Sequence, residues 1–91
     1  MTEENIFLVE ILFTGEGLGG IAEGVVKKGK LRIGMQTEIN NKIGEITNIV
    51  VDGESKEEAL EGQRCQISFV CKGIEKGEIK EGQEIAWHEP Q

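Results

Sequence analysis

The chain has 91 residues, of which 37% are hydrophobic, and its 17 acidic and 10 basic side chains give a formal net charge of −7. This length fits one domain, and we expect residues 1–91 to form a single domain with frayed ends at 1–5 and 89–91. The acidic balance disfavours a general nucleic-acid coat protein, and no apolar run approaches the roughly 20 residues of a membrane span. The acidic start lacks the basic and apolar regions of a signal peptide, which favours a cytoplasmic location.

Short stretches of alternating apolar and polar residues, separated by glycines, predict an all-β chain. In chain order, the predicted strands lie near residues 6–14, 20–28, 36–40, 43–51, 64–72 and 84–88. In the first strand the alternation places four apolar residues on one face: Phe7, Val9, Ile11 and Phe13.

Two stretches depart from this alternation. The isoleucines at positions 43, 46 and 49 do not keep one parity, which predicts a bulge at Gly44 that shifts the phase of the fourth strand. The stretch ESKEEALEG, residues 54–62, is the one helix-like piece, and we expect a single helical turn or an ordered loop there.

A recurrent phrase predicts how the strands are joined. KKGKLRIGMQ at 27–36 and KGEIKEGQEI at 76–85 share Lys-Gly-x-apolar-basic-x-Gly, and a fainter copy lies at 59–63. The first glycine permits a positive φ, the apolar residue two positions on (Leu31 or Ile79) tucks under the barrel as a plug, and the second glycine turns the chain again. With no long amphipathic helix in the sequence, these corners predict a closed six-stranded antiparallel Greek-key barrel.

Two nucleotide-binding motifs are nearly matched and both are rejected. GEGLGG at 15–20 fits Gly-x-Gly-x-x-Gly, but the residues that follow are β-branched and glycine-rich and make a poor helix. GVVKKGKL at 24–31 fits a phosphate loop except that Leu31 stands where Ser or Thr must bind magnesium.

The remaining reactive residues do not form a catalytic set. Cys65 and Cys71 lie six residues apart, about 20 Å along a strand, and are expected to be buried free thiols. His88 is the one histidine and lies near the C-terminus. We therefore expect no enzyme, no cofactor and no metal site.

Charge is unevenly spread along the chain. Four basic residues with no acid between them form a basic corner: Lys27, Lys28, Lys30 and Arg32. Acids gather between Glu54 and Glu61. The basic corner has two interpretations, a site for one phosphate or an acidic partner, and a solvated hairpin end.

The order of these features resembles that of a known family. Residues 7–39 read as a strand ending in Phe, a Gly-x-Gly turn, an apolar strand with glycine and a Gly-x-apolar-x-x-Gly corner. Residues 47–86 read as a strand, an Ala-x-x-Gly corner, a strand ending near Gly-Ile and an Ile-x-x-Gly-Gln corner. The chain thereby resembles the second domain of translational GTPases, the β-barrel of elongation factor Tu and its relatives. The match covers nearly the whole chain and implies a barrel standing alone, without the family's GTP-binding and third domains.

The resemblance also implies a site. In the family, an exposed pocket of this barrel holds the 3′-terminal adenosine and aminoacyl end of transfer RNA. The family's acidic pair at the end of the first strand matches Glu10 and Ile11, the aromatic that follows matches Phe13, and the Arg between the turn glycines is Leu18. One acid of the pair is thus kept and one is lost.

Two further positions of the family's pocket are also changed. The acid against which the terminal base stacks falls at Val50, and the Asn of the third corner falls at Arg64. An apolar Val50 could still stack a base, and Arg64 could reach a phosphate.

Two functions are consistent with the sequence. The first is a small non-enzymatic RNA-binding module for the acceptor end of transfer RNA or a similar single-stranded end, and its candidate contacts are Glu10, Phe13, Lys27, Lys28, Lys30, Arg32, Val50 and Arg64. The second is an acidic adaptor that docks onto a ribosomal or other basic protein through residues 54–61. Simpler interpretations stay open for two residues, because Phe13 could belong to the core and Glu10 could mark the solvent face of its strand.

Overall fold

The computed structural model describes residues 4–15, 18–75 and 77–90 and contains nine β-strands within them. The strands are β1 (Asn5–Gly15), β2 (Gly19–Lys28), β3 (Lys30–Arg32), β4 (Gln36–Ile39), β5 (Lys42–Val51), β6 (Glu54–Lys56), β7 (Glu58–Leu60), β8 (Arg64–Cys71) and β9 (Glu84–Trp87). Over these ranges, no helix is long and apolar enough to cross a membrane.

Six of the strands form a nearly closed antiparallel barrel in the order β4-β5-β8-β2-β1-β9. The ring is closed by the backbones of Gln36 and His88, whose N–H groups each donate to the other's carbonyl at 2.7 and 2.8 Å. Because β2 pairs with β8 and not with β4, the chain crosses between non-adjacent strands in the Greek-key manner. The six predicted strands correspond to these six, and the predicted all-β barrel is confirmed.

The expectation of a helical turn or an ordered loop at 54–62 is wrong, because this segment supplies the two short strands β6 and β7. β6 pairs with the end of β5 through a hairpin at Asp52 and Gly53, whose φ angles are 52° and 79°. Asp-Gly with two positive φ values is a strong signal for a tight hairpin. β7 pairs with β3 in a separate two-stranded sheet.

The expected common face of the first strand is also wrong beyond Val9. Val9 pairs with Gly24 and Ile11 with Glu23, so Glu10 is an extra residue that forms a bulge in β1. Phe7 and Val9 are buried before the bulge, whereas Ile11 and Phe13 are exposed after it. The bulge therefore turns two of the four residues predicted to share one face outward.

The phase shift in β5 occurs at a different residue from the predicted one. Gly44 keeps regular pairing with Cys71, whereas the register shifts between Ile46 and Asn48. Thr47 is the extra residue, and the predicted bulge at Gly44 is wrong. The burial of Ile46 and Ile49, three residues apart, follows from this insertion.

The predicted corners are equivalent in their hydrogen bonds. In each, the closing glycine donates its N–H to the carbonyl of a buried strand residue: Gly34 to Ile46, Gly62 to Val26 and Gly82 to Val9, at 2.8, 2.8 and 2.7 Å. That strand residue donates back to the carbonyl of the residue after the glycine, which is Met35, Gln63 or Gln83, at 2.9, 3.1 and 2.9 Å. The three phrases thus describe one structural unit used three times.

Each corner buries one apolar side chain, and Leu31, Ala59 and Ile79 are 0%, 0% and 4% exposed. The burial of Leu31 and Ile79 is consistent with the predicted plugs. The closing glycines have φ values of 96°, 88° and 89°, a left-handed conformation that favours glycine.

The motif at 15–20 leads into β2, which begins at Gly19, so a strand follows it as expected; its Gly17 lies outside the described residues. Of the residues expected to fray at the chain ends, 1–3 and 91 also lie outside the described residues. Asn5, which was expected to fray, is buried. Its side-chain amide donates to the carbonyl of Trp87 at 3.1 Å and its side-chain oxygen accepts from the N–H of Lys30 at 3.0 Å. Cys65 and Cys71 are buried free thiols, as predicted.

Candidate functional site

Three of the predicted site residues lie together in one pocket on the barrel's outer surface. Glu10 comes from β1, Val50 from the end of β5 and Arg64 from the start of β8, and they line a pocket of about 330 Å³. Its other lining residues are Ile11, Glu23, Gly24, Asp52, Gly53, Cys65 and Gln66. The positions that the resemblance assigned from three distant parts of the sequence are thus adjacent in the fold.

Glu10 reaches the pocket because it is the bulge residue of β1. Its carboxylate accepts a hydrogen bond from the Arg64 guanidinium, and the two side chains form an ion pair across β2. Gly24 lies between them on β2, where a Cβ atom would overlap the carbonyl oxygen of Leu8. A larger residue at Gly24 would therefore separate the strands that position this ion pair.

The pocket is acidic. The carboxylates of Glu10, Glu23 and Asp52 line it together with one guanidinium, that of Arg64. Sequence reasoning missed Glu23 and Asp52. Glu23 lies in the pocket because it pairs with Ile11 across β1 and β2. Asp52 lies there because it belongs to the hairpin that follows β5, and the Asp-Gly motif in the sequence was a usable signal for it.

Cys65 also lines this pocket, but its side chain, which carries a free thiol, belongs to the buried core. Burial raises the pKa of this thiol to about 11, so it is protonated at neutral pH and a poor nucleophile. The pocket residues can therefore accept hydrogen bonds from a ligand and pair one anion, but Cys65 does not supply a reactive thiolate.

Phe13 lies outside this pocket. It is 65% exposed, so a core role is wrong, and it lines a second, apolar depression of about 380 Å³ near the end of the β1–β2 hairpin. At about 3.3 Å per residue, it lies roughly 10 Å along β1 from Glu10.

The basic corner is also apart from the pocket. Lys28 lies four residues beyond Gly24 on β2, about 13 Å away. Three of the corner's four cations are near carboxylates: Lys28 with Glu4 at 4.0 Å, Lys30 with Glu58 at 3.9 Å and Arg32 with Glu89 at 3.4 Å. These ion pairs reduce the positive charge that the sequence assigned to the corner.

The acidic stretch 54–61 is exposed except for Ala59, but several of its carboxylates have partners within the chain. Glu54 pairs with Lys56 at 3.1 Å, and Glu61 accepts the backbone N–H of Gly29 at 2.9 Å. Part of this charge therefore holds the neighbouring corner in place.

The barrel is similar in structure to domains of known translation factors, although no protein-family model matches its sequence. Translation elongation factor SelB from Methanococcus maripaludis, in its apo form, aligns over 94% of this chain with a TM-score of 0.76 and 20% identity. A bacterial selenocysteine-specific elongation factor, EF-Sec, aligns over 92% with a TM-score of 0.70 and 17% identity. GDP-bound aIF5B from Aeropyrum pernix aligns over 99% with a TM-score of 0.78 and 20% identity.

The aligned region covers 19%, 14% and 16% of those three chains, so this chain spans less than a fifth of each. At these identities the likeness is one of fold. It agrees with the resemblance noted in the sequence, and the chain is a β-barrel of the kind found as domain 2 of elongation factor Tu and related translational GTPases.

Proposed function

We propose that this chain is a non-enzymatic, translation-associated module whose acidic pocket binds the 3′-terminal nucleoside of a single-stranded RNA end, such as the acceptor end of transfer RNA. The observation that carries the proposal is the convergence of Glu10, Val50 and Arg64 in one pocket. The association with translation is supported by the fold shared with the three factors.

The chemistry of the pocket suits a nucleoside better than a chain of phosphates. Val50 offers an apolar surface for the face of a base, and stacking of this kind tolerates any base. Ribose hydroxyls and exocyclic amines are hydrogen-bond donors, which match the carboxylates of Glu10, Glu23 and Asp52. Arg64 would pair with one phosphate by exchanging its ion pair with Glu10, whereas further phosphates would be repelled by the three acids.

Few phosphate contacts imply a weak dependence on salt. If one or two phosphates of a single strand are neutralised, the logarithm of the binding constant should fall with the logarithm of salt concentration with a slope of about −0.7 to −1.4. A slope several times steeper would indicate general electrostatic binding by the chain's lysines.

The experiment is a titration of the chain with fluorescently labelled transfer RNA at low salt, comparing intact RNA with RNA that lacks its terminal adenosine. We expect the intact RNA to bind more tightly, and we expect Arg64→Gln and Val50→Asp to remove that difference. Lys27→Gln is the matched control, since it removes an exposed cation away from the pocket. If Lys27→Gln weakens the binding of intact transfer RNA as much as Arg64→Gln does, or if the wild-type chain does not bind it, the proposed role of the pocket is refuted.

A further inference from the structure

A group of exposed apolar side chains lies on one side of the barrel, and all of them except Ile11 lie outside the residues that line the proposed RNA pocket. Five of the large exposed apolar residues of the described chain lie on β1, β2, β8 and the β1–β2 hairpin: Ile11, Phe13, Leu18, Ile21 and Val70, with exposed fractions of 43%, 65%, 75%, 39% and 51%. Phe13 pairs directly with Ile21, and Val70 pairs with Gly19. These pairings make the residues a continuous patch, and such patches on small domains mark interaction sites.

The patch contains a shaped depression of about 380 Å³. Phe13, Leu18 and Val70 line it together with Gly19, Gly20 and Phe69. A Cβ at Gly20 would overlap the carbonyl oxygen of Phe13, so the close approach of β1 and β2 at this point requires glycine. The depression can therefore seat one or two apolar side chains of a partner.

The charge around the depression identifies the chemistry of that partner. Ile11 connects it to the acidic pocket, because Ile11 lines the pocket and lies two residues from Phe13 on the same side of β1. The described residues that line the depression include no cation, and the pocket's one cation, Arg64, is paired with Glu10. An occupant thus meets apolar contacts at one end and carboxylates at the other.

We propose that the depression docks a polypeptide segment that places apolar side chains between Phe13 and Val70 and a Lys or Arg side chain over Glu23. An RNA strand is disfavoured in the depression because the described residues that line it include no cation to pair with a phosphate. A second copy is disfavoured because each chain carries a net charge of −7, and the copies would bring their acidic pockets together.

The test uses a synthetic amphipathic 18-residue peptide of Leu and Lys, titrated into the isotopically labelled full chain and followed by amide chemical shifts and calorimetry. Two peptides are controls, one with every Leu replaced by Ser and one with every Lys replaced by Glu. We expect the Leu/Lys peptide to shift the amides of residues 11–14, 18–23 and 68–71, and to bind at least tenfold more tightly than either control peptide.

Variants locate the binding. The double substitution Phe13→Ser with Val70→Thr alters exposed side chains only and should weaken the Leu/Lys peptide at least tenfold. Ile43→Ser, at an apolar side chain that is 55% exposed on another part of the barrel, should leave binding unchanged. If the Ser/Lys peptide binds as tightly as the Leu/Lys peptide, binding depends on charge alone and the proposal is overturned. If the Leu/Glu peptide binds as tightly as the Leu/Lys peptide, the carboxylates do not contribute to binding and that part of the proposal is overturned.

Two further measurements separate this proposal from its alternatives. Sedimentation of the wild-type chain that shows self-association, lost in the double variant, would assign the patch to a second copy and overturn the proposal. The transfer RNA titration is repeated with the double variant. Unchanged RNA binding with lost peptide binding supports a separate protein-docking surface, whereas loss of RNA binding as well would make the patch part of the RNA site.

Discussion

Replacement of Leu31 by Ala tests whether the corner plugs hold the barrel together. Leu31 is fully buried in β3, which is held by pairing with β7 and by the hydrogen bond from Ile33 N–H to Glu57 O at 3.0 Å. Because the backbone is held and its neighbour Ala59 is small, the cavity cannot collapse. Buried leucine truncations of this type cost about 2.7–5 kcal/mol in a well-studied lysozyme, and we expect about 3 kcal/mol here.

This loss is large for a domain of 91 residues, whose total stability is roughly 5–14 kcal/mol at about 0.05–0.15 kcal/mol per residue. A change of 1 kcal/mol shifts the Tm of such a domain by about 4–8 °C, so Leu31→Ala should lower Tm by roughly 12–24 °C. The assay is urea and thermal unfolding followed by circular dichroism.

The chain contains a matched control for this substitution. Leu60 also lies in a three-residue strand of the same small sheet, but its side chain is 50% exposed. Leu60→Ala should cost only about 0.5 kcal/mol, since surface substitutions have small effects. If the two variants differ by less than about 1 kcal/mol, the plug does not anchor the corner and the reasoning fails.

Three further predictions concern the pocket strand, a loop ion pair and the thiols. Gly24→Ala should lower the free energy of unfolding in urea by about 3 kcal/mol, because the new Cβ would overlap the Leu8 carbonyl oxygen. The control Gly62→Ala should cost about 1 kcal/mol, since Gly62 has a φ of 88° and no neighbour within 4 Å. A larger loss in Gly62→Ala than in Gly24→Ala would contradict the overlap. Hydrogen bonds from the Lys42 ammonium, then from the Asn40 side chain and the Glu75 N–H, lower the pKa of Glu78 from 4.5 to about 2. The stabilisation by Glu78 is therefore present above pH 4.5 and lost towards pH 2. Glu78→Gln should be less stable than wild type at pH 7, with a difference that shrinks between pH 4.5 and 2; a constant difference would argue against the ion pair. Burial raises the pKa of both thiols, of Cys65 to about 11, so thiol reagents at pH 8 should react slowly with the native chain and rapidly in urea. Fast reaction of the native chain would contradict the burial of these thiols in the core.

The barrel could be predicted from sequence because its corners obey local rules. A glycine that permits positive φ, an apolar residue at a fixed offset and a second glycine specify each corner without knowledge of the rest of the chain. The bulges at Glu10 and Thr47 could not be predicted in the same way, because an extra residue is defined only against a partner strand. Strict alternation therefore failed after Val9.

The site was predicted in part for a similar reason. Glu10, Val50 and Arg64 were assigned by position within a known pattern, and the fold brings them together. Glu23 lies beside them because the strand register pairs it with Ile11. The ion pairs of the basic corner connect residues that are far apart in the chain, such as Arg32 and Glu89. Such pairings depend on the assembled barrel, so a run of lysines in the sequence overstated the available positive charge.

The closure of the ring by β9 has a consequence for folding and association. β9 is the last strand along the chain and pairs with β1, which is the first, and Asn5 bonds to Trp87 across 82 positions. Until residues 84–88 arrive, β1 and β4 both present unsatisfied edges of the kind that recruit other polypeptides. Release of this one short strand is therefore the simplest route by which two chains could exchange identical segments and become an intertwined dimer.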